Sequence, residues 1–200
     1  VISVFLLAVL CGVTAWAIAR CKRKFFKFCY VYFIVGILIP YQALFLPIYI
    51  IGFNLHLTNT RYGIIFMYVA TGISFGVFLM NSFMSTVPLE LEEAARIDGC
   101  GEFSIFMRVV MPSMKPALGA LGIYMFMSMW NNFMWPLIIL STKSMYNFPV
   151  ALSMLNGVAW RKDYGVIMLA TVFAVLPILI IFLVFQKQFV AGVMGGAVKE

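Results

Sequence analysis

The sequence predicts an all-α membrane protein, a polytopic helical bundle. Three observations lead there: 64% hydrophobic residues against 10% charged, a mean hydropathy of +1.04, and five apolar stretches long enough to cross a bilayer. A soluble domain of this size is about half apolar and about a quarter charged. Charges this sparse cannot cover so much apolar surface in water, so lipid is the expected solvent and the 200 residues form one helical membrane domain.

A span needs roughly 20 apolar residues. The five stretches fall at about 1–19, 28–51, 63–84, 117–140 and 165–185. The second carries Pro40 and Pro47, the fourth Pro136 and the fifth Pro177, each expected to interrupt or bend its helix and to border a cavity.

Charge sets the orientation. The connection 20–27 holds Arg20, Lys22, Arg23, Lys24 and Lys27, five of the fourteen cations. Placing 20–27, 85–116 and the tail 186–200 inside puts ten cations in the cytosol against four outside, the latter being Arg61, Lys143, Arg161 and Lys162. The C-terminus is then cytosolic and Val1 starts outside, from which at least one upstream helix is expected to precede this sequence. The net charge of +7 does not point to nucleic acid. The basic cluster lies between two apolar stretches and reads as a topology signal and a contact with anionic membrane lipids. Cys11, Cys21, Cys29 and Cys100 form no Cys-x-x-Cys pair and read as free thiols.

The connection 85–116 is unlike the rest, with five of the seven acidic residues: Glu90, Glu92, Glu93, Asp98 and Glu102. Ser85 and Thr86 are cap-type residues, Pro88 suits a first turn, and the glutamates follow where the helix dipole favours negative charge. Glu92 and Arg96 are spaced i, i+4 and can pair. Gly99, or Gly101, ends that helix, and a second apolar helix runs from Phe103 towards Pro112. The expectation is two short helices about a glycine elbow, with Ala94 and Ala95 on the surface, suited to a groove on a partner.

The residues Glu93-Ala94-Ala95-x-x-Asp98-Gly99, followed after nine residues by Val109-x-Met111-Pro112, resemble the EAA loop of ABC importer permeases. The family pattern is Glu-Ala-Ala, three residues, Gly, nine residues, Ile-x-Leu-Pro; here Val and Met replace Ile and Leu. Pro40 with Pro47-Ile48-Tyr49, Asn59-Thr60-x-x-Gly63, Trp130-Asn131-x-Phe133-x-Trp135-Pro136-Leu137 and the ending Gly192-x-x-x-Gly196 are similar to stretches of carbohydrate permeases, in particular the smaller permease of maltose-type sugar importers. The resemblance implies the type I ABC importer permease fold in the plasma (inner) membrane of a bacterium. It implies a second homologous permease, a dimer of ATP-binding subunits and an extracytoplasmic solute-binding protein as partners, and a sugar or oligosaccharide as substrate. On that reading Glu93, Ala94, Ala95, Asp98, Gly99, Val109, Met111 and Pro112 form the ATPase-coupling loop.

No cofactor is expected in this chain. It has no Gly-x-x-x-x-Gly-Lys-Ser/Thr loop, so ATP and Mg would be bound by the partner ATPase. The chain is thus expected to be a transport subunit, not an enzyme. One histidine, His56, offers no triad and no metal site. Of Met125, Met127 and Met129 only 125 and 129 share a helix face, and packing explains them. For the substrate pathway the candidates are Asn131, Asn132, Trp130 and Gln42, with Asn81 as a further amide inside a span; interhelical hydrogen bonding is the competing role for all the amides. A permease for a non-sugar solute remains an alternative. An ion-coupled secondary transporter is a weaker one, since no acid lies inside a span.

Overall fold

The computed structural model describes residues 1–157 and 164–197, and it is helical throughout. The expected outer cations Arg161 and Lys162 and the tail's Lys199 lie outside the described residues. Three helices are long and apolar enough to cross a membrane: α1 (Ile2–Arg20), α4 (Arg61–Met84) and the segment Tyr164–Gln186 of α11 (Tyr164–Ala197). Two further candidates are bent pairs, giving up to five spans.

The stretch 28–51 is not one helix. α2 (Lys24–Leu38) stops before Pro40, a 3-10 turn covers Tyr41–Leu44, and α3 (Phe45–Asn54) follows, the two halves meeting at 97°. Proline at 40 has no N–H to continue the ladder, so the break belongs to it. Pro47 sits in the first turn of α3, where no intrahelical acceptor is needed. The stretch 117–140 is likewise broken. α8 (Lys115–Trp130) ends at Asn131, and α9 (Met134–Ile139) restarts with Pro136 in its first turn. Pro177, expected to interrupt, lies inside an unbroken α11, which continues past 186 to Ala197.

α1 and α4 form the central pair, and small residues let them approach. Gly72 and Gly76 of α4 are one turn apart and face Leu7 and Cys11 of α1, likewise one turn apart. A Cβ on Gly72 would lie 2.8 Å from Leu7 Cδ1, and one on Gly76 would overlap Cys11 Sγ. Lipid supplies no hydrophobic drive for helices to associate, so close backbone contact of this kind supplies the packing. Asn59 ties the far end together. It adopts a left-handed conformation (φ 54°), accepts from the backbone N–H groups of Ser141 and Thr142 at 3.0 Å each, and donates to Thr142 Oγ1 at 2.9 Å. Thr60 caps α4 by accepting from the Gly63 N–H at 2.9 Å.

Two buried clusters result. One joins Leu7, Cys11 and Ala15 to Met80 and Met84, and to Ile105, Phe106, Val110 and Met114 of the 85–116 connection. The other, at the opposite pole, gathers Met67, Trp135, Ile139 and Leu140, with Phe45 edge-on to Trp135 at 4.7 Å. α11 lies at the periphery, apolar and largely exposed, against α8 and α10 (Phe148–Gly157). Because overpacking a tight contact costs about 1–3 kcal/mol, Gly76→Ala is expected to lower the thermal midpoint of the detergent-solubilised protein. Cys11→Ala in the same chain should restore most of the loss.

Candidate functional site

The connection 85–116 folds as two helices seated on the bundle. α5 (Leu89–Ile97) is followed by an elbow at 98–101 and a second helical unit, Glu102–Ser113. That unit comprises α6 (Glu102–Ile105), a π-helical turn (Phe106–Val110) and α7 (Met111–Ser113), and it meets α8 at 74°. Ser85 and Thr86 do not cap α5 as expected. Their hydroxyls donate back to Ser82 O and Phe83 O and so finish α4; the N-terminal boundary of α5 is Pro88.

The elbow has a specific cause. The Gly99 N–H donates to Arg96 O and the Cys100 N–H donates to Ala95 O, both at 3.0 Å. This is a Schellman ending, which requires a left-handed residue after the helix, and Gly99 has φ +81°. Ala95 and Cys100, the pair that such an ending brings together, both pack against the core cluster. Ala95 therefore faces the bundle and only Ala94 faces outward, so the two alanines do not form one outward surface as the sequence suggested.

Arg96 spans the elbow. Its Nε and Nη2 donate to Glu102 Oε1 and Oε2 at 2.7 and 2.9 Å, a bidentate pair between the two helices. The hydrogen bonds from Arg96 hold the Glu102 carboxyl below the usual carboxylate range, and the same bonds raise Arg96. Since Glu102 is depressed in the folded state, its contribution is present at neutral pH and is lost as pH falls through the lowered value. Both side chains are exposed, so salt screens the pair and its energetic weight is small.

Glu92 is the group whose role the sequence did not disclose. It is fully buried, not a surface partner for Arg96 alone. Its Oε1 accepts from Arg20 Nε at 2.7 Å and its Oε2 accepts from Trp16 Nε1 at 3.0 Å, while Arg96 Nη2 stands off at 3.8 Å. Arg20 Nη2 also donates to Val87 O at 2.8 Å. The strut thus fixes the C-terminal end of α1 to both ends of the segment 87–92. Trp16 further stacks obliquely on Phe106, with centroids 5.3 Å apart. In the sequence Arg20 looked like one topology cation among five; only its separation from the other four, at the very end of an apolar run, set it apart.

The outward face carries Glu93, Ala94, Asp98 and Pro112 with two large apolar side chains beside the elbow, Ile97 at 86% and Phe103 at 78% exposure. Val109 and Met111 are half-buried and help seat the second helix. A face of exposed apolar knobs between carboxylates is a shape that docks on another protein.

A cavity of about 810 Å³ lies between the two buried clusters. Tyr68, Thr71 and Ser74 of α4, Tyr124 and Ser128 of α8, and Trp135 are among its walls, and no charged residue lines it. Asn131 and Asn132 do line it; Trp130 and Gln42 do not. Trp130 turns to α11 instead, donating from Nε1 to Ala174 O at 2.9 Å and stacking with Phe126 and Phe148. Gln42 is exposed on the 3-10 turn. Asn132 has a structural task as well, its Oδ1 accepting from the Trp135 N–H at 3.0 Å to start α9. No group of three or more His, Cys, Asp or Glu side chains able to hold a metal occurs among the described residues.

A family model described as binding-protein-dependent transport system inner membrane component matches residues 5–195. The chain is 38% identical over 170 residues to the arabinooligosaccharides transport system permease protein AraQ of Bacillus subtilis (strain 168), covering 85% of this chain and 59% of that protein. It is 31% identical over 200 residues to the probable starch degradation products transport system permease protein AmyC of Thermoanaerobacterium thermosulfurigenes, covering 100% and 72%. The multiple sugar-binding transport system permease protein MsmG of Streptococcus mutans serotype c is 33% identical over 203 residues, covering 100% and 73%. In fold the chain is similar to a bacterial ABC transporter involved in the import of the acidic polysaccharide alginate, with a TM-score of 0.77 and 21% identity over 94% of this chain and 73% of the other.

Removing one partner from a buried ion pair costs about 3–5 kcal/mol. Arg20→Ala is therefore expected to destabilise the protein by an amount of that order, read as a fall in thermal midpoint, and Arg20→Ala with Glu92→Leu to recover part of it. For the exposed pair, a carboxyl NMR titration should find Glu102 below the ordinary glutamate range, returning towards it in Arg96→Gln.

Proposed function

The chain belongs to the family of binding-protein-dependent transport system inner membrane components, the non-catalytic membrane subunits of ABC transporters, and on that premise we propose that it is the permease subunit of an importer for a sugar or oligosaccharide. The observation that carries the coupling role is the helix–elbow–helix unit, rigid on its inner side and exposing Ile97 and Phe103 on its outer side. Glu93, Ala94, Asp98, Gly99 and Pro112 present this unit to a groove on one of two ATP-binding subunits, which hold the ATP and Mg. Ala95, Val109 and Met111 seat it on the bundle.

Closure of the ATPase pair moves the docked unit, and the Glu92–Arg20–Trp16 strut passes the displacement to α1 as a rigid body. Because α1 and α4 are locked through Gly72 and Gly76, α4 follows, and the walls of the 810 Å³ cavity move with it. The cavity's aromatic rings, hydroxyls and amides, without charge, suit a neutral polyhydroxylated solute. Asn131 and Asn132 are the pathway residues this reading retains. An extracytoplasmic binding protein delivers the solute, a second, homologous permease completes the pathway, and the C-terminus lies in the cytosol.

Co-purification of the full transporter tests the coupling. A Val at position 99 must adopt φ +81°, a strained conformation for a β-branched residue. Gly99→Val, and separately Phe103→Asp, are expected to reduce retained ATP-binding subunit at least about tenfold, a loss of roughly 1.4 kcal/mol in affinity. The exposed Tyr62→Ala, on the α4 end away from the loop, should leave retention unchanged. Full retention in both loop variants would sink the docking role. Uptake of labelled neutral oligosaccharides that depends on the chain separates sugar import from import of another solute.

A further inference from the structure

A second cavity, of about 450 Å³, opens between α1, α2 and α4 beside the strut. Arg20, Lys27, Tyr30, Val31, Asn81 and Ser85 are among the residues that line it. Three features set it apart. It gathers two cations, and Lys27 forms no ion pair among the described residues. Asn81 is among its walls, and the Oδ1 of that side chain is buried without a hydrogen-bond partner. Its place along the chain is the membrane boundary, since Arg20 closes an apolar 19-residue span and Lys27 lies in the first turn of α2, with exposed Lys22, Arg23 and Lys24 between.

Ammonium and guanidinium groups at headgroup depth select a phosphate. A lone buried amide oxygen asks for a donor, which a hydroxyl supplies. Phe28 and Tyr32 on the same helix, at 68% and 69% exposure, continue apolar surface towards the bilayer. We propose that this cavity is a binding site for an anionic phospholipid with a hydroxylated headgroup, phosphatidylglycerol in class, its phosphodiester held by Lys27 and Arg20 and a headgroup hydroxyl donating to Asn81. Free inorganic phosphate shares the ionic chemistry but has neither that hydroxyl arm nor acyl chains. Since Arg20 also holds Glu92, an occupied site adds a ligand to the guanidinium that fixes α5, and ties the stiffness of the coupling unit to membrane composition.

The test is native mass spectrometry of the full-length permease in its assembled transporter, delipidated and then offered phosphatidylglycerol, phosphatidylcholine or phosphatidic acid with identical acyl chains. Phosphatidylglycerol is expected to be retained over phosphatidylcholine. Lys27→Ala is expected to lower its retention about fivefold, the weight of one cation at an anionic headgroup, while Lys22→Ala, in the same cluster but outside the cavity, changes it less than twofold. Asn81→Leu should erase the preference for phosphatidylglycerol over phosphatidic acid. Thermal midpoints equal to wild type verify folding of each variant. Equal retention of phosphatidylglycerol and phosphatidylcholine would overturn the proposal. So would equal losses in Lys22→Ala and Lys27→Ala, which mark diffuse attraction, or displacement of the lipid by millimolar inorganic phosphate. None of these readings depends on the solute carried.

Discussion

A carboxylate with no solvent exposure sits where α1 meets the 85–116 connection, and the rest of that end of the molecule is organised around it. Burying a charge is costly unless it is paired and hydrogen-bonded. Glu92 meets the requirement with Arg20 Nε on one oxygen and Trp16 Nε1 on the other. Arg20 in turn satisfies Val87 O, a backbone acceptor just outside α5. These bonds have direction, so they fix the angle between α1 and α5 in a way that apolar packing alone would not. The oily contacts of Phe106, Ile105 and Val110 then fill the space that the strut defines.

That geometry explains how a short loop rich in acidic residues can act as a solid part. Its inner side is held by the strut and by Ala95 and Cys100 at the Schellman ending. Its two helices are braced by the Arg96–Glu102 fork, too exposed to add much stability but well placed to limit bending at Gly99. Its outer side is left with apolar groups that nothing among the described residues covers. For the proposed coupling role such a body would transmit a displacement that a flexible loop would absorb.

Further into the membrane the design is one of close packing at two poles with space between. Gly72 and Gly76 draw α4 onto α1, while Trp135, Phe45 and Met67 close the opposite pole. The breaks at Pro40 and at 131–133 fall beside the intervening cavity. Backbone groups freed by a break are tolerated at membrane depth where they are buried or line a cavity. The breaks and the polar lining therefore belong together.

The sequence by itself determined the helical membrane class, the positions of most apolar stretches and the helix–elbow–helix character of 85–116. Each of these rests on composition or on short-range rules: hydropathy, the absent N–H of proline, and the helix-breaking tendency of glycine at 99 or 101, between which the structure decides for Gly99. The breaks in 28–51 and 117–140 were expected from their prolines, whereas Pro177, expected to interrupt too, is carried inside an unbroken α11. The sequence offered Gln42 as an amide inside a span and Trp130 as an aromatic neighbour of Asn131 and Asn132; in the fold Trp130 turns towards Ala174, and Gln42 is exposed on a 3-10 turn whose Tyr41 and Leu44 line the cavity instead. The tertiary structure alone decided that Glu92 is an anchor, since its partners Trp16 and Arg20 lie 76 and 72 residues away. A carboxylate's role depends on which donors surround it, and that is settled by how distant segments pack.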